Sequence, residues 1–289
     1  MTQDPTVLFC VGATKAGTSW IYRYLSSHPD CHLRSVKELH YFDARDRDDT
    51  KWQSGRFRRN QRELSVAPVT DAQRCKIDDY EELIDLLQNE AEDIPGYLAY
   101  LNRGRSEERV VADVTPAYAL LSADRFRKMA GIVANTRFIY VLRDPVSRLW
   151  SHIRMKAGNR QGPNGTVQEW ANRIFWRMER GRNEGILDRG DYRQVLNNLW
   201  AALDPRQLLV LFYEDLFSGA TTDKICAFLG IRSHQANFAL AVNRGPQLDM
   251  TDEQYFVARA RHSEQYDYVS QHFDAVPAAW QIDKTRVKA

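Results

Sequence analysis

TVLFCV (Thr6–Val11), GATKAG (Gly12–Gly17) and TSWIYRYLSS (Thr18–Ser27) form the stretch that decides the fold. The first segment is a short, unbroken apolar run, the pattern of a strand buried on both faces of a parallel sheet. The third carries Trp20, Ile21, Tyr24 and Leu25 at helical spacing. His28-Pro29 ends it, because proline disfavours helical geometry in the residue before it. Strand, glycine-bearing loop, helix is therefore the opening unit. Arg109–Val114, Arg137–Leu142 and Gln207–Tyr213 read as further strands. A helix is expected from about Val146 to Lys156 and another ending near Leu229-Gly230. A capping box at Thr251–Gln254 opens one long helix toward Phe273. Alternating buried strands and helices predict an α/β fold of three layers, a central parallel sheet flanked by helices.

The 289 residues show no internal repeat and no boundary that demands a second domain, so residues 1–289 read as one domain. Forty Lys and Arg against 38 Asp and Glu leave a net charge of +2, too small for a global field that would draw the chain onto nucleic acid. The charge is uneven: Asp71–Asp93 holds nine acids against two bases, and Arg137–Arg193 twelve bases against six acids. The basic stretch suits an anionic ligand. The four cysteines, Cys10, Cys31, Cys75 and Cys226, are far apart and the seven histidines dispersed, which predicts neither a disulfide framework nor a metal site. The first residues lack the basic and apolar regions of a signal peptide, and no apolar run reaches the roughly 20 residues of a membrane span. These features predict a cytoplasmic protein.

The loop Gly12–Gly17 sits where backbone amides and a helix dipole can cradle a phosphate. Its spacing is nearly that of the GxxxxGK[ST] loop of nucleoside triphosphatases, with one difference. Thr18 stands where that motif has lysine, and Lys15 lies inside the loop instead. The charge is thus placed beside the end of a shorter phosphate chain, such as a single 5′-phosphate carrying a transferable group. Later, RFIYVLRDPVSRLWS (Arg137–Ser151) reads as a strand ending at Arg143, then a helix opened by Asp144-Pro145 with Ser147 and Ser151 on one side. An arginine fork with a serine hydroxyl suits a phosphate monoester.

KAGTSWIYRYL together with RDPVSRLWS resembles the sulfotransferases that use 3′-phosphoadenosine 5′-phosphosulfate (PAPS). The likeness spans most of the chain, since LLVLFYEDL followed by a helix and FLGI is similar to that family's later sheet. The resemblance implies that Lys15, Ala16, Gly17, Thr18 and Ser19 hold the 5′-phosphosulfate and that Arg143 and Ser151 hold the 3′-phosphate. It implies a place for Trp20 against the adenine; the alternative is a core tryptophan on an amphipathic helix. Asn243, Arg244 and Gly245 resemble the family's basic loop over the 3′-phosphate. Adenosine 3′,5′-bisphosphate (PAP) would be the product, and no metal is implied.

The segment Lys37–Asp43 (KELHYFD) carries Glu38 and His40, which share a face if the chain is extended, so a carboxylate and an imidazole can pass a proton between them. The pattern is similar to that of the glycan-modifying, heparan-type members. This likeness implies that Glu38 is the base, with His40 and Asp43 assisting; His40 as the base stays open. The same members carry a lysine in an E-K-[ST]-P-x-Y motif, where this chain has Asp113-Val114-Thr115-Pro116-Ala117-Tyr118. Val114 takes the lysine's place, which leaves Lys37 as a substitute and puts a glycan acceptor in doubt.

In-line sulfuryl transfer to an acceptor hydroxyl, or an amine, is the reaction these readings imply. The rivals are a nucleotide-dependent kinase or phosphotransferase and a non-catalytic nucleotide-binding protein. A small molecule, a glycan and a lipid-linked glycan remain open as acceptors. Arg45–Arg62, Gly96–Arg105 and Ala157–Thr166 are expected to line the acceptor site, with Trp52, Phe57, Tyr97, Tyr100 and Arg160 as contacts.

Overall fold

The computed structural model describes residues 4–66, 68–160, 165–182, 185–238 and 247–282. The strands are β1 (Thr6–Gly12), β2 (Cys31–His32), β3 (Val110–Val114), β4 (Thr136–Leu142) and β5 (Leu208–Phe212). The helices are α1 (Thr18–Ser27), α2 (Tyr41–Asp46), α3 (Thr50–Leu64), α4 (Asp71–Gln88), α5 (Ile94–Asn102) and α6 (Ala123–Ala130). They continue with α7 (Pro145–Gly158), α8 (Val167–Glu179), α9 (Tyr192–Ala202), α10 (Gly219–Leu229), α11 (Asp252–Arg261) and α12 (Ser263–His272). The strands form one sheet in the order β2-β3-β1-β4-β5, every pairing parallel, with helices packed around it. This is the expected α/β class with a phosphate-loop-like opening unit.

Val7, Leu8, Phe9, Cys10 and Val11 of β1 are all buried, because β1 pairs with β3 on one edge and β4 on the other. The chain leaves β1 toward the β3–β2 side and leaves β4 toward β5. The strand order therefore reverses between β1 and β4, and the crevice outside their carboxyl ends is where such sheets bind ligands. A second apolar cluster joins α7, α8 and α11 through Leu149, Ile153, Phe175, Met178 and Ala258.

Two expectations are corrected. The long C-terminal helix is two helices, α11 and α12, meeting at His262. Its buried ring donates from Nδ1 to the Ala258 carbonyl at 2.8 Å, a local bond that competes with the helical ladder. The segments 45–62 and 96–105 are largely helical rather than lining loops, and Phe57, Tyr97 and Tyr100 are buried in the core. They fill the space between the α3–α4 hairpin, α5 and the sheet.

Gly17, at φ 88°, begins α1 in the left-handed region. A Cβ there would lie 2.6 Å from Leu216 Cδ2 and 3.0 Å from Tyr213 Cδ2, so the segment after β5 leaves room only for glycine. Gly17→Ala is expected to lower stability by about 1–3 kcal/mol. The urea midpoint reads this directly, and an unchanged midpoint would show that the loop accommodates a side chain.

Candidate functional site

Lys15 and Arg143 are 128 residues apart in sequence, yet Arg143 Nη1 donates to the Lys15 carbonyl at 2.8 Å. The reversal of strand order brings them together, since one follows β1 and the other ends β4. Arg143 lies over the Tyr213 ring, 4.1 Å from its centroid. The Tyr192 hydroxyl donates to the Arg143 carbonyl at 2.6 Å. The helix α7 opens as expected, with Pro145 in its first turn and the Asp144 carboxylate accepting from Ser147 N at 2.7 Å. Glu214 accepts from Asp144 N at 2.9 Å, which ties the segment after β5 to the end of β4.

Burial pushes the Lys15 ammonium below its ordinary value, and the Arg143 and Arg154 guanidiniums push the same way. Glu38 opposes them and Lys37 adds to them. No carboxylate lies within ion-pair distance of Lys15 or Arg143 among the described residues. Arg143 Nε is buried without a hydrogen-bond partner. Half-buried cations held together in this way repel one another unless an anion joins them. The helix α1 meets them with its amino end, which has neither a side-chain cap nor an acidic residue in the first turn. Arg154 was not singled out from the sequence. Its signal was the spacing of residues 147, 151 and 154, one face of α7. Ser151 is half-buried on that face.

The segment Lys37–Asp43 is not extended. Glu38 and His40 both adopt left-handed backbone, at φ 66° and φ 53°. They still meet: His40 Nε2 is 3.6 Å from Glu38 Oε2, and Lys37 Nζ is 2.8 Å from Glu38 Oε1. On its other side His40 Nδ1 lies 3.0 Å from Asp43 Oδ2, and Arg47 Nη2 is 2.5 Å from the same oxygen. Burial would raise the Glu38 carboxyl, but the His40 ring and the Lys37 ammonium outweigh it and hold the group well below the ordinary carboxylate range. Burial would lower His40, but Asp43 and Glu38 raise it above its ordinary value. Lys37 thus stands beside Glu38, while Val114 is buried in β3.

A model of the sulfotransferase family matches residues 5–235. The chain belongs to the sulfotransferase family. Its structure is similar to that of a sulfotransferase from Alicyclobacillus acidocaldarius, at 20% identity and a TM-score of 0.62 over 96% of this chain and 99% of that one. It is also similar to the sulfotransferase domain of the Synechococcus PCC 7002 olefin synthase, at 18% identity and a TM-score of 0.50 over 84% and 82% of the two chains. No curated protein matches it. At these identities the solved structures speak for the fold.

In this sulfotransferase Trp20 is buried. Tyr24 stacks with its ring at a centroid distance of 5.5 Å, and Phe238 at 6.0 Å. Phe217 meets its edge at 5.4 Å. Phe217 and Phe238 are the partly exposed members of the group. Asn243, Arg244 and Gly245 lie outside the described residues. Beside Asp43 opens a cleft of about 510 Å³ lined by Asp46, Arg47, Leu120, Ser122 and Lys128. No helix among the described residues is long and apolar enough to cross a membrane.

The raised His40 and lowered Glu38 give opposite pH signatures. His40 contributes stability that is full below its ordinary value of 6.5 and lost as pH rises through its higher folded value. Glu38 contributes stability that is full above its ordinary 4.5 and lost as pH falls through its lower folded value. The Tm difference between the unmodified protein and His40→Gln is therefore expected to shrink as pH rises above 6.5. A difference that grows with pH would assign His40 a neutral folded state.

Proposed function

We propose that this sulfotransferase, acting as one domain over residues 1–289, moves a sulfuryl group from PAPS to an acceptor hydroxyl, or an amine. The observation that carries the reading is the convergence of Lys15 and Arg143 on the amino end of α1 with no carboxylate in ion-pair reach among the described residues. That is a site for a ligand with more than one anionic group. The lysine lies within the loop rather than after Gly17, which favours a 5′-phosphosulfate over the longer chain of ATP.

The backbone amides of Ala16, Gly17, Thr18 and Ser19, with the α1 dipole, hold the 5′ end of the donor. Arg143 and Ser151 hold the 3′-phosphate. Phe217 and Phe238, backed by Trp20, offer rings to the adenine. The acceptor oxygen bonds to sulfur while the bond from sulfur to the 5′-phosphate oxygen breaks. Lys15 and the loop amides stabilise the charge on the departing phosphate. Glu38 takes the acceptor proton. Its lowered proton affinity suits a late transfer, once bond formation to sulfur has made the acceptor proton strongly acidic. His40, braced by Asp43, balances the carboxylate charge. The scheme gives no step to a metal ion. Charged side chains at the cleft beside Asp43, among them Asp46, Arg47 and Lys128, offer hydrogen bonds to a hydroxylated acceptor.

PAP at 100 times its Kd is expected to stabilise the protein by about 2.7 kcal/mol, a shift of several degrees in Tm without magnesium. A magnesium-dependent shift with ATP or GTP instead would replace this reading with a kinase. Lys15→Ala is expected to lower kcat by about 10²–10³. Glu38→Gln is expected to lower it by about 10²–10⁴ and to keep its affinity for PAP. Normal turnover in Glu38→Gln, with none in His40→Ala, would move the base to His40.

A further inference from the structure

The loop carrying Glu38 and His40 is anchored from beneath by a carboxylate that the reaction does not use. Asp113, near the end of β3, is buried and accepts three hydroxyl hydrogen bonds. Thr115 Oγ1 donates to its Oδ1 at 2.6 Å, and Tyr118 and Tyr97 each donate to its Oδ2 at 2.8 Å. Two of these hydroxyls also accept backbone amides of the loop. Leu39 N donates to Thr115 Oγ1 at 2.9 Å, and Tyr41 N donates to the Tyr118 hydroxyl at 3.0 Å.

We propose that Asp113 is a positioning residue for sulfuryl transfer, holding Glu38 and His40 in place through Thr115 and Tyr118. A hydroxyl has one proton and two lone pairs. By taking the proton of each hydroxyl, Asp113 turns its lone pairs toward the loop, so both must act as acceptors for the amides. Those amides flank His40, and the first of them follows Glu38. Glu38 and His40 hold left-handed backbone that non-glycine residues disfavour. Leu39 and Tyr41 alternate with them and supply the anchors that keep the loop there. The spacing of Asp113, Thr115 and Tyr118 gives the DVTPAY segment a purpose that does not need a lysine at Val114. Asn at position 113 would offer an NH₂ where a carboxylate oxygen now accepts, leaving a hydroxyl proton without a partner.

The proposal rests on Glu38 and His40 being the reacting pair, and its test separates the two ideas. Thr115→Val, Tyr118→Phe and Asp113→Asn are compared with the unmodified protein, with Thr115→Ser as the conservative control. Four quantities are read: PAP affinity, turnover of PAPS to PAP with water as acceptor, hydrogen exchange at the Leu39 and Tyr41 amides, and the NMR titration of the His40 ring. The groups facing that ring are Glu38 and Asp43 on its own segment, Asp113 from β3, and Arg47 and Arg189 through Asp43.

We expect PAP affinity within about twofold and turnover lowered about tenfold or more in the three disruptive variants. The Leu39 amide should lose protection in Thr115→Val and the Tyr41 amide in Tyr118→Phe, and the His40 midpoint should fall toward its ordinary value in both. Thr115→Ser should restore turnover. If Thr115→Val and Tyr118→Phe leave the His40 titration and both amides unchanged, the positioning role is wrong. If Asp113→Asn does not fold, those two variants decide the matter. Full turnover in Glu38→Gln would instead overturn the base assignment, and amide exchange and the His40 titration would still judge the anchor.

Discussion

Burial of β1 between β3 and β4 is the constraint on which the rest of the molecule depends. A strand buried on both faces and paired on both edges has no freedom in register, because a one-residue slip would exchange its faces and unmake both ladders at once. The carboxyl end of β1 is therefore fixed, and so is the point where the chain turns into the Gly12–Gly17 loop. The end of β4 beside it fixes Arg143. The segment after β5 closes the arrangement from the other side, with Tyr213 beneath Arg143, Leu216 against Gly17 and Glu214 on the Asp144 amide. Three strand ends thus define one crevice.

That crevice is electrostatically unbalanced by construction. Burial lowers the proton affinity of Lys15 and of Arg154, and the neighbouring Arg143 guanidinium lowers it further in both. Burying like charges together costs free energy that the packed sheet supplies and that a bound anion would return. On the opposite flank Glu38 is held ionised by Lys37 and His40. Two groups of opposite character, one rich in positive charge and one holding negative charge, are what the proposed transfer between an anionic donor and a protic acceptor would use.

The two flanks are built by different physics. The side around the Gly12–Gly17 loop uses backbone: loop amides, a helix terminus and the glycine that lets the loop turn. The Glu38 side uses a side-chain network, in which a buried carboxylate orients hydroxyls and the hydroxyls hold a strained loop. Such networks are cooperative because each hydroxyl has only one proton to give.

From the sequence alone came the α/β class, the loop between β1 and α1, the Arg143 strand end with its Asp144-Pro145 helix start, and the candidate pair Glu38 and His40. All of these are local: apolar runs, helical spacing, glycine placement and short motifs. Only the tertiary structure decided how they combine. Glu38 and His40 meet through two left-handed residues rather than along a strand, because Thr115 and Tyr118 reach up from β3 and the turn after it. Phe57, Tyr97 and Tyr100, expected at an acceptor surface, are core residues because α3 packs against α4 and α5 against β3. Arg154 joins Lys15 because α7 lies along the crevice, and Asp113 meets the Glu38–His40 loop because β2, which leads into that loop, pairs with β3. Spacing along the chain says which residues share a face. Which faces meet depends on strand order and helix packing, and those are settled by the burial of the whole.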